Sequence, residues 1–173
     1  MSDGADAHEP DALEPDALGP GALEPDALGP DEMRAWMAFL AASHLLDHEI
    51  ERQLKRDGGL SHPEFEVLVG LSLADGNRLR MSDLARKVMV SKSRLTYQVT
   101  QLERAGLVRR TGCEDDRRSV WAELTDAGAE RLAQVRPGHR RVVREALIEV
   151  LTPEEIAVLG DALGRVTDRL RAR

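Results

Sequence analysis

The stretch SDLARKVMVSKSRLTYQVTQLERAGLVRR, residues 82–110, decides the fold together with TGCEDDRRSVWAELT, residues 111–125. Its first part reads as two short helices around a tight turn. Ser82 is a candidate N-cap for the first helix, with Leu84, Ala85 and Val88 following on one face. Met89 and Val90 make the turn, Ser91 caps the second helix, and that helix runs to about Arg104. Gly106 stands where a left-handed residue is wanted after a helix end. In the second helix Leu95, Val99 and Leu102 recur at i, i+4, i+7 and form an apolar stripe. The opposite face carries Ser93, Tyr97, Thr100, Gln101 and Arg104, with Arg94 at its edge. A helix that only faced water would more often carry Glu and Lys. These side chains instead match the donors and acceptors on base edges, and a helix fits the major groove.

Leu107-Val108-Arg109-Arg110 and Val120-Trp121-Ala122-Glu123-Leu124 read as two strands around a charged loop. Helix-turn-helix, strand, charged loop, strand is the order of a winged helix. Arginine at a wing tip suits the narrow minor groove, where negative potential is high.

The run Leu102-Glu103-Arg104-Ala105-Gly106-Leu107-Val108-Arg109-Arg110, then Asp116-Arg117-Arg118 and Leu124-Thr125-Asp126-Ala127-Gly128, closely resembles the multiple-antibiotic-resistance regulator (MarR) family, from about Arg34 onward. The resemblance implies a mainly α fold: a winged helix-turn-helix with a two-stranded wing and a dimerisation region built from N- and C-terminal helices. It implies a homodimeric transcription factor, usually a repressor released by a small ligand or by oxidation. Asp116 would brace the wing by pairing with Arg118, and Arg118 would enter the minor groove. The candidate DNA-binding residues are Ser91, Lys92, Ser93, Arg94, Thr96, Tyr97, Gln98, Gln101, Arg109, Arg110, Asp116, Arg117 and Arg118. Among them Lys92, Arg94, Arg109 and Arg110 suit phosphates, and Ser93, Arg94, Tyr97 and Gln101 suit bases. Family members take effectors between the dimer helices and the winged lobe; Trp36, Phe39, His44 and Phe65 are the candidates to line such a cleft, for an effector that could be an aromatic acid.

The net charge of −7 looks wrong for a DNA-binding protein until it is resolved along the chain. Residues 1–33 carry ten acids and no Lys or Arg, whereas residues 78–118 carry eleven bases against five acids. The positive charge is concentrated where phosphate binding would need it. Residues 9–33 repeat a five-residue unit, EPDAL, EPDAL, GPGAL, EPDAL, GPDEM. Proline every fifth residue disfavours helix, so residues 1–30 are expected to be a disordered acidic tail.

Residues 31–57 turn helical, with Met33, Trp36, Met37, Leu40, Leu46, Ile50 and Leu54 supplying an apolar side. The expected lobe spans 61–124, opening on the capping box Ser61-His62-Pro63-Glu64. Residues 125–173 supply further dimerisation helices: Thr125 caps one, Pro137-Gly138 should kink it, and Thr152-Pro153-Glu154-Glu155 opens the last. There Ile156, Leu159, Leu163, Val166 and Leu170 form a seam that needs a partner helix.

No run of about 18 apolar residues is present, no secretory signal is legible, and one cysteine excludes an internal disulfide framework. A cytoplasmic protein is expected. His44 and His48 are i, i+4 neighbours without an accompanying Glu-rich or Cys ligand set, so no metal site and no cofactor is expected. Cys113 reads as incidental; the peroxide-sensing branch of the family carries its cysteine on the first helix, where this chain has none. There is no phosphate loop and no nucleophile–base pair, so an enzyme is not expected. The competing readings are a winged helix used for protein contacts and a ligand-binding dimer without DNA activity.

Overall fold

The structure is a computed structural model and describes residues 27–112 and 120–172. The acidic repeat lies almost entirely outside the described residues, as do Cys113, Asp116, Arg117 and Arg118 of the wing loop. The chain divides into two units, one ending at Phe39 and the other running from Leu40 onward.

The elements are α1 (Pro30–Gly58), α2 (His62–Ser72), β1 (Arg78–Arg80), α3 (Met81–Lys87), α4 (Lys92–Arg104), β2 (Val108–Gly112), β3 (Val120–Leu124), α5 (Asp126–Val143) and α6 (Pro153–Arg171). Local chemistry sets most of their ends. Ser61 and Glu64 form a reciprocal capping box at α2, and Thr152 and Glu155 form another at α6. Ser91 caps α4 by accepting from the Arg94 amide, and Gly106 after it has φ +72°.

β1, β3 and β2 form one antiparallel sheet in that order, with Arg80 opposite Trp121 and Thr111 opposite Trp121 on the other side. Its inner face contributes Val108, Ala122 and Leu124 to the core. There they join Leu54 of α1, Leu68 and Leu71 of α2, Leu84 of α3, Leu95, Val99 and Leu102 of α4, and Leu132 and Val135 of α5. The winged helix is therefore closed around aliphatic side chains, as the low aromatic content requires.

Three local expectations are corrected. Ser82 does not cap α3: β1 runs directly into a helix that begins at Met81, with Arg80 in the cap position, and the Ser82 hydroxyl turns to Asp83 at 3.4 Å. The first strand of the wing starts at Val108, not Leu107. Pro137-Gly138 does not interrupt α5, which continues to Val143; the irregular turn comes later, as π-helix over Arg144–Ile148. Gly138 has a packing role instead, because a Cβ there would overlap the side chains of Gln53 and Asp57 on α1.

Candidate nucleic-acid interface

The face of α4 opposite the core is presented to solvent. Lys92, Ser93, Arg94, Thr96, Tyr97 and Arg104 are exposed, Gln101 is half-buried, and Tyr97 keeps 66% of its surface. The Ser91 and Ser93 hydroxyls lie 3.1 Å apart at the helix start. Thr96 and Thr100 each donate back to the carbonyl four residues earlier, at 2.8 Å, which leaves their oxygens as acceptors. The turn before α4 is tight enough to force Met89 to φ +55°.

Gln98 does not belong to this face. It is 5% exposed and lies among Leu95, Val99 and Leu102, because position 98 is three residues after Leu95 and four before Leu102. Arg110 is engaged within the fold. Its side chain donates to Glu103 Oε2 at 3.0 Å, to the Thr96 carbonyl at 2.9 Å and to Thr100 Oγ1 at 2.7 Å. These bonds tie β2 to α4, so the arginine fixes the angle between the strand and that helix. Arg109 remains largely exposed, paired with Glu123 at 2.9 Å across the outer face of the sheet.

β1 carries two arginines, Arg78 and Arg80, that were not among the candidate DNA-binding residues. Both guanidiniums lie over the Trp121 ring, 5.3 Å and 5.5 Å from its centre. The signal that could have found them is the alternation of Arg, Leu, Arg, which turns both charges to the outer face. Arg80 also borders a groove of about 410 Å³ together with Lys92, Thr96, Arg110 and Val120.

The four candidate effector residues fare differently. Trp36 and Phe39 stack on each other, 6.1 Å between ring centres, and both are about half exposed. His44 is exposed on α1. Phe65 belongs to the core: it is 5% exposed and its ring packs 4.5 Å from that of His139. Beside it His62 Nδ1 meets Asp47 at 2.6 Å. Burial holds the His139 imidazole below its usual pKa, and the neighbouring His62 adds to this. Among the described residues no cluster of His, Cys, Asp and Glu could hold a metal ion, and no helix is long and apolar enough to cross a membrane.

Comparison with known proteins identifies the family and agrees with the fold. Residues 60–120 match the family model for the MarR family. The transcriptional repressor YetL of Bacillus subtilis is 32% identical over 128 residues, covering 74% of this chain and 73% of YetL. The chain belongs to the MarR family. It is a transcriptional regulator and not an enzyme. Among solved MarR-family structures, AbsC of Streptomyces coelicolor is 43% identical, superimposes with a TM-score of 0.81 and is covered over 99% of its length by 85% of this chain. Sco3205 from the same organism, solved in complex with DNA, is 39% identical with a TM-score of 0.82, over 85% of this chain and 92% of its own.

Proposed function

We propose that the protein binds duplex DNA as a homodimer and represses transcription from an inverted-repeat operator, from which a small-molecule effector releases it. The observation that carries this reading is the division of α4 into a buried aliphatic stripe and an exposed face of Ser93, Arg94, Tyr97, Gln101 and Arg104. Ser93, Arg94, Tyr97 and Gln101 are assigned to bases, Lys92 and Arg109 to phosphates, and Arg118 to the minor groove. That Sco3205 was solved in complex with DNA and that YetL is a repressor support the reading as a DNA-binding repressor.

Two features support a second copy as partner. No residue of α6 is buried, although Val166 and Leu170 are apolar and 53% and 60% exposed. On α1, Trp36, Met37 and Phe39 are also open to solvent. Apolar helix faces of this kind are covered in a stable protein. A two-fold dimer would set its reading helices roughly 34–36 Å apart, one turn of duplex. The effector, for which an aromatic acid is the family-typical choice, is assigned to the exposed aromatic pair Trp36 and Phe39 on α1.

The test is binding to duplexes from the region upstream of the protein's own gene, followed by anisotropy, with molar mass measured by light scattering. Arg118→Ala should weaken binding, and Gln101→Ala should relax choice at one base pair by about 1–3 kcal/mol. A monomer that ignores every such duplex at low ionic strength sinks the reading.

A further inference from the structure

We propose that Arg80 contacts the DNA backbone in its own right, and that Trp121 is the residue that positions it. This rests on the DNA-binding reading above and adds a contact outside α4 and the wing loop.

The outer face of the sheet is built in two rungs. Arg80, Trp121 and Thr111 share one; Arg78, Glu123 and Arg109 share the other. The rungs carry the same net charge but differ in composition. In the second rung Glu123 lies between two arginines and pairs with Arg109 at 2.9 Å, so the Arg109 charge is answered locally. The first rung contains a cation, an aromatic ring and a hydroxyl, with no acid. It is also the rung at the wing end of the sheet, since Trp121 is only one residue beyond Val120, where β3 begins.

Position relative to α4 singles out Arg80 further. Arg80 is the last residue of β1 and the cap position of α3, and it is exposed. It lines one groove with Lys92, the first residue of α4, and with Thr96 one turn on. A helix that enters the major groove by its N-terminal half therefore brings Arg80 to the phosphates flanking that groove. Its place over the Trp121 ring, 5.5 Å from the centre and shared with Arg78, prepares it for this. A guanidinium lying on an aromatic face keeps its N–H edge available in the plane, where a phosphate can accept two bonds. It also loses less rotamer freedom on binding than an unsupported arginine would.

The test uses the full chain and a duplex selected in vitro against the wild-type protein, with a scrambled duplex of the same length. Affinities are measured by anisotropy over a salt series. Arg80→Ala should lower affinity on both duplexes alike and reduce the slope of log K against log salt by about 0.9 per protomer, about 1.8 per dimer. Arg78→Ala should leave the slope unchanged. Trp121→Leu should reproduce the loss of affinity, and Trp121→Phe, which keeps a ring under the guanidinium, should restore most of it. Melting curves check folding; if Trp121→Leu does not fold, Arg80→Ala and Trp121→Phe decide the matter. A wild-type protein that selects no duplex overturns the DNA-binding reading itself. A wild-type protein that binds while Arg80→Ala keeps its salt slope overturns only this proposal, as would equal losses from Arg78→Ala and Arg80→Ala.

Discussion

The Arg110 guanidinium stands 3.0 Å from the Glu103 carboxylate, and the backbone amide of Arg110 donates to the same carboxyl group at 3.2 Å. A single acid near the end of α4 thus holds both the main chain and the side chain of the first wing strand. Two more bonds from the guanidinium, to Thr96 and Thr100, complete the link. Arg110→Ala is expected to destabilise the fold by about 1–3 kcal/mol, through the lost charge-assisted bonds and the Glu103 carboxylate left behind. Chemical denaturation of Arg110→Ala, Glu103→Gln and the double variant checks this. Additive losses in that cycle would show that the pair is not coupled.

Gly128, at the end of the Leu-Thr-x-x-Gly motif, is required for close approach. Thr125 accepts from the Gly128 amide at 3.0 Å and donates to the Gly106 carbonyl at 2.8 Å, pinning the start of α5 against the end of α4. A Cβ on Gly128 would overlap the carbonyl oxygen of Leu107 and crowd Leu124. The obstacle is partly backbone and cannot swing away. Gly128→Ala should therefore cost about 1–3 kcal/mol or more, despite the helix propensity alanine adds. An unchanged or raised melting temperature would contradict the packing described for this junction.

What the sequence disclosed, and what it withheld, divides by range. Ser61 with Glu64, Thr152 with Glu155, Ser91 and Gly106 act within one turn of themselves, and each was legible from its neighbours. What was not legible depends on partners that come from elsewhere. Arg110 looks like a solvent-facing cation until Glu103, Thr96 and Thr100 are folded next to it. Pro137 looks like a break, yet α5 is held through it by contacts such as Gln53 Nε2 to the Val135 carbonyl at 3.3 Å. Phe65 looks like a candidate ring for an effector, but His139, 74 positions later, packs against it.

His139 gives the fold a dependence on pH. Burial lowers its pKa below the ordinary value of 6.5, and His62, with Asp47 beside it, faces it from α2. The unfolded chain therefore binds this proton at a higher pH than the folded one does. The stabilising contribution is complete above about pH 6.5 and is lost as pH falls through the folded value. Glu66, whose pKa burial raises, works in the opposite sense, favouring the fold at low pH. Melting temperature should decline from pH 7 to pH 5, and His139→Gln should flatten the decline. Parallel slopes for the two proteins would remove His139 as the cause.

The two glutamines of α4 offer a sharper separation, because they are three residues apart and have opposite surroundings. Gln101 is half-buried at the margin of the exposed face, whereas Gln98 is 5% exposed and, among the described residues, its Oε1 accepts no hydrogen bond. A buried acceptor without a partner is a cost to the fold that an apolar side chain of similar length would not carry. Gln98→Met should therefore leave stability unchanged or raise it by up to about 1–3 kcal/mol, and should not alter which base pairs are preferred. Gln101→Met should do the reverse, sparing stability and blurring base choice at one position. Measuring denaturation and operator selection on both variants tests this. A Gln98→Met protein that melts lower would mean its oxygen is satisfied in the native protein, and a changed operator preference would return that residue to the reading face.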